Sequence, residues 1–203
     1  LYISSIILNY IILNLVMIPI INKNKTLKQT VDEKKNNTIA YIDKYAPSKQ
    51  QLKTYLLKKY LKFSAPDIKK QDVNNLIDIV LSDLEKNRFI NDKFYSDSKA
   101  KSMIQRGNSI NKIRYYLIGK GIKNEFIKDT LSKIKDQNSD QDFFSAIKIC
   151  KKKRIGPART EDNRPLFYKK DIFLLARNGF DFETSKKVMD IDKDDFIRII
   201  KLL

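Results

Sequence analysis

Histidine is absent from this chain of 203 residues, and cysteine occurs once, as Cys150. A zinc site draws on several imidazole or thiolate ligands, so none is expected. Serine and cysteine nucleophile systems lack their histidine base, and with it the usual route to acyl transfer. Asp92 and Glu125 are not a catalytic pair: nothing in the sequence places them together, and no metal-ligand spacing surrounds them. The reading is of a protein without cofactor, metal or reaction of its own. A lone cysteine makes no internal disulfide and gives no sign of an oxidising compartment. Cys150 is read as a small packing residue on a helix. Five glycines and five prolines leave little turn chemistry for a many-stranded sheet. Long stretches free of both point to helices.

What the chain has is charge and apolar residues together. Hydrophobic residues make up 42% and charged residues 32%, too apolar for disorder and too charged for a polytopic membrane protein. The net charge of +17 suggests a polyanionic neighbour, nucleic acid or an anionic complex. Lysine far outnumbers arginine, however, and Ile, Asn, Lys and Tyr are all products of A/T-rich codons. Part of the basicity is therefore discounted as mutational bias.

Leu1 to Ile21 is uncharged and mostly apolar, and three readings compete for it. It is long enough for a membrane span, with Lys23, Lys25 and Lys28 placing the body in the cytoplasm. It lacks the basic leading region and small-residue cleavage site of a secretory signal. The preferred reading is translated upstream sequence, with the true start at Met17, residues 1–16 untranslated and the membrane not involved. Residues 22 to 37 read as a flexible leader, so 1–37 as a whole is set apart from the folded body.

From Thr38 the apolar positions recur at helical spacing. Ile39, Ile42 and Tyr45 make a first stripe, stopped by Pro47. Ser48 stands where an N-cap belongs, before Leu52, Tyr55, Leu56 and Tyr60. Leu76, Ile77, Val80, Leu81 and Leu84 follow, with Asp67 and Asp72 as candidate caps. Asn91 or Asp92 caps the next helix, whose inward positions include Phe94, Ala100 and Ile104. Ser109 then caps a helix carrying Ile113, Tyr116 and Leu117, which Gly121 ends. Phe126, Ile127, Leu131 and Ile134 continue, then Phe143, Phe144, Ile147 and Cys150. Ser48, Leu52, Leu56 and Lys59 map onto Ser109, Ile113, Leu117 and Lys120 under one shift, 109 − 48 = 61. A weaker third copy runs through Leu174, Leu175, Arg177, Asn178, Gly179 and Phe180 to Val188, Phe196, Ile199 and Ile200. A few short helices cannot bury their own apolar face, so neighbouring copies must stack. The expected fold is all-α, an elongated curved array of tandem three-helix repeats over about 38–106, 107–154 and 165–203.

These residues also carry a resemblance. The run Arg88-Phe89-Ile90-Asn91-Asp92-Lys93-Phe94, then Arg106-Gly107, Ser109, Ile113, Leu117 and Lys120-Gly121-Ile122, resembles the central signature of the RecX family. Ala46-Pro47-Ser48 to Lys59 resembles its first repeat. Arg154-Ile155-Gly156-Pro157 with Arg159, then Leu175 to Phe180, resembles the connector and third repeat of one branch. The likeness covers about Thr38 to Phe196. It departs from the pattern at Asn91, at Tyr95-Ser96 and at Tyr60-Leu61. The resemblance implies a tandem three-helix fold lying in the groove of the RecA recombinase filament on single-stranded DNA. Strand exchange, ATP hydrolysis and co-protease activity would fall. It places the protein in homologous recombination, DNA repair and the SOS response, as a cytoplasmic monomer. The alternative is a stand-alone basic module that binds DNA without reading sequence. A membrane-tethered adaptor would require the first segment to be real.

Candidate binding residues follow from charge. Lys148, Lys151, Lys152, Lys153 and Arg154 form the densest basic run, with Arg159 and Arg164 close behind. Such residues neutralise phosphates in a salt-sensitive way that reads no sequence. The competing reading is a solvated helix end complementing its own dipole. Arg106, Arg114, Lys120 and Arg177 recur near helix ends and carry the same two readings. Tyr115, Tyr116, Phe143, Phe144, Phe167 and Tyr168 could stack bases, although core packing is expected for most of them.

Overall fold

Leu52, Leu56 and Tyr60 recur every four residues, so a helix puts them on one face, and in the folded chain all three are completely buried. The computed structural model describes residues 37–61 and 70–203. The readings for the leader up to residue 36, for the Met17 start and for Asp67 lie outside the described residues. Regular structure among the described residues is helical throughout. A helical stretch over 37–45 precedes α1 (Lys49–Leu61), α2 (Lys70–Lys86) and α3 (Asp92–Gln105). Then come α4 (Ile110–Gly119), α5 (Asn124–Gln137), α6 (Gln141–Lys153) and a 3-10 turn, η1 (Gly156–Ala158). The chain ends with α7 (Asn163–Arg177), α8 (Phe182–Met189) and α9 (Lys193–Leu202).

The described residues divide into two compact units, one made of those up to Tyr95 together with Lys120–Ile122, the other of Ser96–Gly119 and Lys123–Leu203. In the first, the α1 face closes on Val73, Ile77, Val80, Leu81 and Leu84 of α2, with Ile90 beside them. Each such fully buried aliphatic side chain stabilises by about 1.5–3 kcal/mol relative to exposure. Tyr41 lies flat on Tyr55, ring centroids 3.9 Å apart. That stacking gives Tyr41 and Ile42 the packing role expected of Tyr45, which is left 53% exposed. In the second unit α4 packs on α5, burying Ile110, Ile113 and Leu117 on one side and Ile127, Thr130 and Leu131 on the other. A separate core gathers Ala146, Ile147 and Cys150 of α6 with Leu175, Phe180, Val188, Met189 and Phe196. Burial pushes the Cys150 thiol up to about 12, as befits a packing residue.

Phe94 departs from expectation. It is 69% exposed, while Tyr95 and Ser96, the next two positions round the helix, are buried. Ser96 shares a hydrogen bond of 2.9 Å with Thr130, so a small polar residue takes the inward place.

Two joints recur. Ser48 Oγ accepts from the Gln51 N–H at 3.2 Å, capping α1, and donates to the Lys120 carbonyl at 2.8 Å. Ser109 Oγ accepts from the Lys112 N–H at 3.1 Å, capping α4, and donates to the Asn178 carbonyl at 2.8 Å. A carboxylate completes each joint: the Lys49 N–H donates to Asp92 at 2.8 Å and the Ile110 N–H to Asp142 at 2.7 Å. Asp92 therefore serves α1, and its own helix is capped by Asn91, which accepts from the Phe94 N–H at 2.9 Å. The glycines after the two acceptor carbonyls are sterically required. A Cβ on Gly121 would lie 2.5 Å from Gln50 Cβ, and one on Gly179 would lie 2.5 Å from Ser109 Oγ. Both also have positive φ, +71° and +87°.

Candidate nucleic-acid interface

Helix α6 buries Ile147, Ile149 and Cys150, and the lysines beyond them turn outward at its last turn. Lys151, Lys152 and Lys153 are exposed there. Arg154 follows as C-cap in the left-handed region, φ +54°, its N–H directed at the Cys150 and Lys151 carbonyls. Four consecutive cations thus surround the negative end of a helix dipole, which favours them there and leaves their heads in water.

What holds this end in place is a carboxylate that charge counting missed. Asp171 of α7 is 1% exposed. It accepts from the Gly156 N–H at 2.9 Å, from Arg159 Nε at 2.6 Å and from Arg159 Nη2 at 2.9 Å. Burial alone would push this carboxyl up, but the Arg159 fork and the Gly156 N–H more than offset it and hold the group below the usual carboxylate range. The Arg159 guanidinium also lies over the Phe167 ring, 4.4 Å from its centroid. The turn that follows the basic run is therefore pinned to α7. A sequence signal for this existed: Asp171 is the one carboxylate of α7, and it sits four residues before buried Leu175.

The ten candidate cations fall into different settings. Lys151 to Arg154 form one exposed group. Arg159 is committed to Asp171. Arg164 is likewise occupied, its Nη2 donating to the Met189 carbonyl at 2.7 Å and to the Ile191 carbonyl at 2.6 Å, which closes the end of α8. Lys120 is half-buried and lends its carbonyl to Ser48. Arg106, Arg114 and Arg177 are exposed. Arg114 stands with Lys128 and Lys135 on the walls of a groove of about 530 Å³, floored by Ile118, Ile127 and Leu131. No carboxylate lines that groove.

The aromatic residues divide too. Phe143 and Phe144 meet edge to face at 5.4 Å and are half-buried. Tyr116, Phe167 and Tyr168 are half-buried, and the Tyr168 hydroxyl donates to Asp190 at 3.3 Å. Tyr115 does not pack inward: it is 72% exposed, as is Phe173 at 69%, a residue outside the sequence-based candidates. Among the described residues no three His, Cys, Asp or Glu side chains group so as to hold a metal ion. No described helix is long and apolar enough to cross a membrane. The chemistry on offer is attraction of phosphates by exposed cations, with aromatic faces available to bases.

Comparison with known proteins gives relatives of one kind. The chain is 32% identical over 164 residues to the Regulatory protein RecX of Myxococcus xanthus, covering 76% of this chain and 83% of that protein. It is 30% identical over 106 residues to the Regulatory protein RecX of Clostridium botulinum, covering 52% of this chain and 48% of that one. The protein of the same name from Clostridium perfringens is 26% identical over 156 residues, 76% of this chain and 66% of its own length. No protein-family model matches the chain. No solved structure matches it.

Proposed function

The chain belongs to the RecX family, and from that premise we propose that it regulates the RecA recombinase as an inhibitor, binding in the groove of the filament on single-stranded DNA. There it lowers strand exchange, ATP hydrolysis and co-protease activity through binding alone, as a cytoplasmic monomer without metal or cofactor. The observation that carries this is the likeness to a named regulatory protein over 83% of that protein's length. The exposed cations Lys151 to Arg154 are consistent with a partner that includes nucleic acid.

We further propose that the body is built of tandem three-helix units over about 38–106, 107–154 and 165–203. The recurrence of the serine–carbonyl–glycine joint at Ser48/Lys120/Gly121 and at Ser109/Asn178/Gly179 supports this.

The test follows DNA-dependent ATP hydrolysis by preformed filaments of the host's own RecA while the full chain is added below stoichiometry. A fall in rate that survives excess DNA is expected. No change at equimolar protein, with binding to bare DNA intact, overturns the proposal. That second result would leave a stand-alone basic DNA-binding module, the reading that the exposed α6 end favours by itself.

A further inference from the structure

The outer faces of α4 and α7 carry a pattern that the basic run at α6 does not explain. The glycines that close the two helices are related by 179 − 121 = 58, and under that shift Phe173 falls on Tyr115 and Lys170 on Lys112. Both helices thus present Lys-x-x-aromatic at the same distance before the joint. The two aromatic rings are 69% and 72% exposed. Core packing explains neither, because each points opposite the buried stripe of its helix, Leu175 in α7 and Ile113 with Leu117 in α4.

The helices meet end to start. Ser109 Oγ and Asn111 Nδ2 donate to the Asn178 and Gly179 carbonyls at 2.8 and 3.4 Å. Lys112 Nζ donates to Asn178 Oδ1 at 3.1 Å. That last bond starts from the outer face of α4, so the exposed stripe of α7 leads directly into that of α4. Along it lie Lys169, Lys170, Phe173 and Arg177, then Lys112 and Tyr115, all exposed. The stripe carries no carboxylate. Helix α4 has none, and the single one of α7, Asp171, is buried and neutralised by Arg159. Lys112 is bonded to a neutral amide, so its charge is uncompensated.

We propose that this stripe is a track for single-stranded nucleic acid, with Tyr115 and Phe173 as platforms on which bases stack and Lys112, Lys169, Lys170 and Arg177 receiving the phosphates. Flat aromatic faces alternating with cations match a chain in which bases and phosphates alternate. A duplex, its bases already stacked inside, offers the rings nothing. The inference rests on the reading of the protein as a ligand of DNA-bound filaments, and assigns to it contact residues other than those of the α6 run.

The chain has no tryptophan, so Tyr115→Trp and Phe173→Trp each introduce a single reporter into the full chain. We expect an oligo-dT of about 20 nucleotides, longer than one stacking site requires, to quench both. Tyr115→Ala and Phe173→Ala should each weaken oligo-dT binding roughly five- to a hundredfold, the range of one lost base stack. Their melting temperatures should stay unchanged, since neither ring is in the core. Oligo-dT that binds without altering either reporter overturns the track and moves DNA to the α6 end. Oligo-dT that does not bind overturns it as well. Reporters that respond only to DNA-free RecA overturn it in favour of a protein-docking face. Filament ATPase measured with the same wild-type preparation separates the two ideas. Quenching without inhibition retains the track and removes the regulatory reading; inhibition with unaltered alanine variants does the reverse.

Discussion

Asp171 and Arg159 show how one buried charge redirects a neighbouring cation. A carboxylate 1% exposed must be paired, and the bidentate guanidinium that pairs with it is no longer free to meet a phosphate. Breaking such a pair typically costs about 3–5 kcal/mol, so Asp171→Asn should destabilise strongly in urea unfolding at neutral pH. The sign of the pH effect follows from the depressed folded pKa. The unfolded carboxyl, near the ordinary value of about 3.9, takes up a proton before the folded one does. The contribution is therefore complete above that value and disappears as pH falls through the folded pKa. The gap in stability between wild type and Asp171→Asn should close over that acid window, and a gap that stays constant would contradict the pairing. Arg154 offers the opposite case. It is an exposed residue with φ +54°, where a side chain costs about 1 kcal/mol relative to glycine. Arg154→Gly should raise the melting temperature while weakening DNA binding, so stability and affinity move in opposite directions.

At the level of elements, the joints matter more than any single helix. Isolated helices of 8–17 residues are marginal in water, and these gain their stability by docking. Ser109 serves two helices at once, as N-cap of α4 and as donor to the end of α7. Ser109→Ala should therefore cost about 1–2 kcal/mol, more than a cap alone in an exposed helix. Gly179→Ala combines a left-handed backbone with a 2.5 Å approach to Ser109 Oγ and should cost about 2 kcal/mol or more. Gly119→Ala is the internal control. Open space surrounds that position in α4, so the same substitution should stabilise by up to about 1 kcal/mol. Chemical denaturation of the three variants checks the pattern, and a Gly179→Ala protein as stable as Gly119→Ala would remove the joint as a structural element.

For the whole molecule, the net charge of +17 sets a field rather than a site. Binding to single-stranded DNA should weaken steeply with salt, log affinity falling by about 0.7 per phosphate neutralised for each unit of log salt. Replacing Lys151, Lys152 and Lys153 together by alanine should flatten that slope by about 2 if all three meet phosphates. Arg159→Ala should instead act mainly through stability, because its charge is already spent on Asp171. A full salt titration of each variant tells the two kinds of loss apart. An unchanged slope in the triple variant would assign the α6 end to the solvated-helix reading.

Helix content, the registers of α1, α2, α4 and α6, the serine caps and the terminating glycines were legible in the sequence, because each rests on contacts within a turn or two of chain. The resemblance that led to the family was of the same local kind, an ordered series of caps, apolar positions and Lys-Gly ends. Long-range contacts decided the rest. Asp92 caps α1 and Asn91 caps α3, a division that adjacent residues in the sequence cannot reveal. Tyr41 displaced Tyr45 because its stacking partner, Tyr55, lies in the following helix. Arg159 and Arg164 look like members of a basic run until folding brings Asp171 and the end of α8 to them. Tyr115 looks like a core residue until α4 turns another face inward. Local spacing determines which residues share a helix face. Which face is buried, and which charges are already taken, depends on residues that meet only when the helices dock.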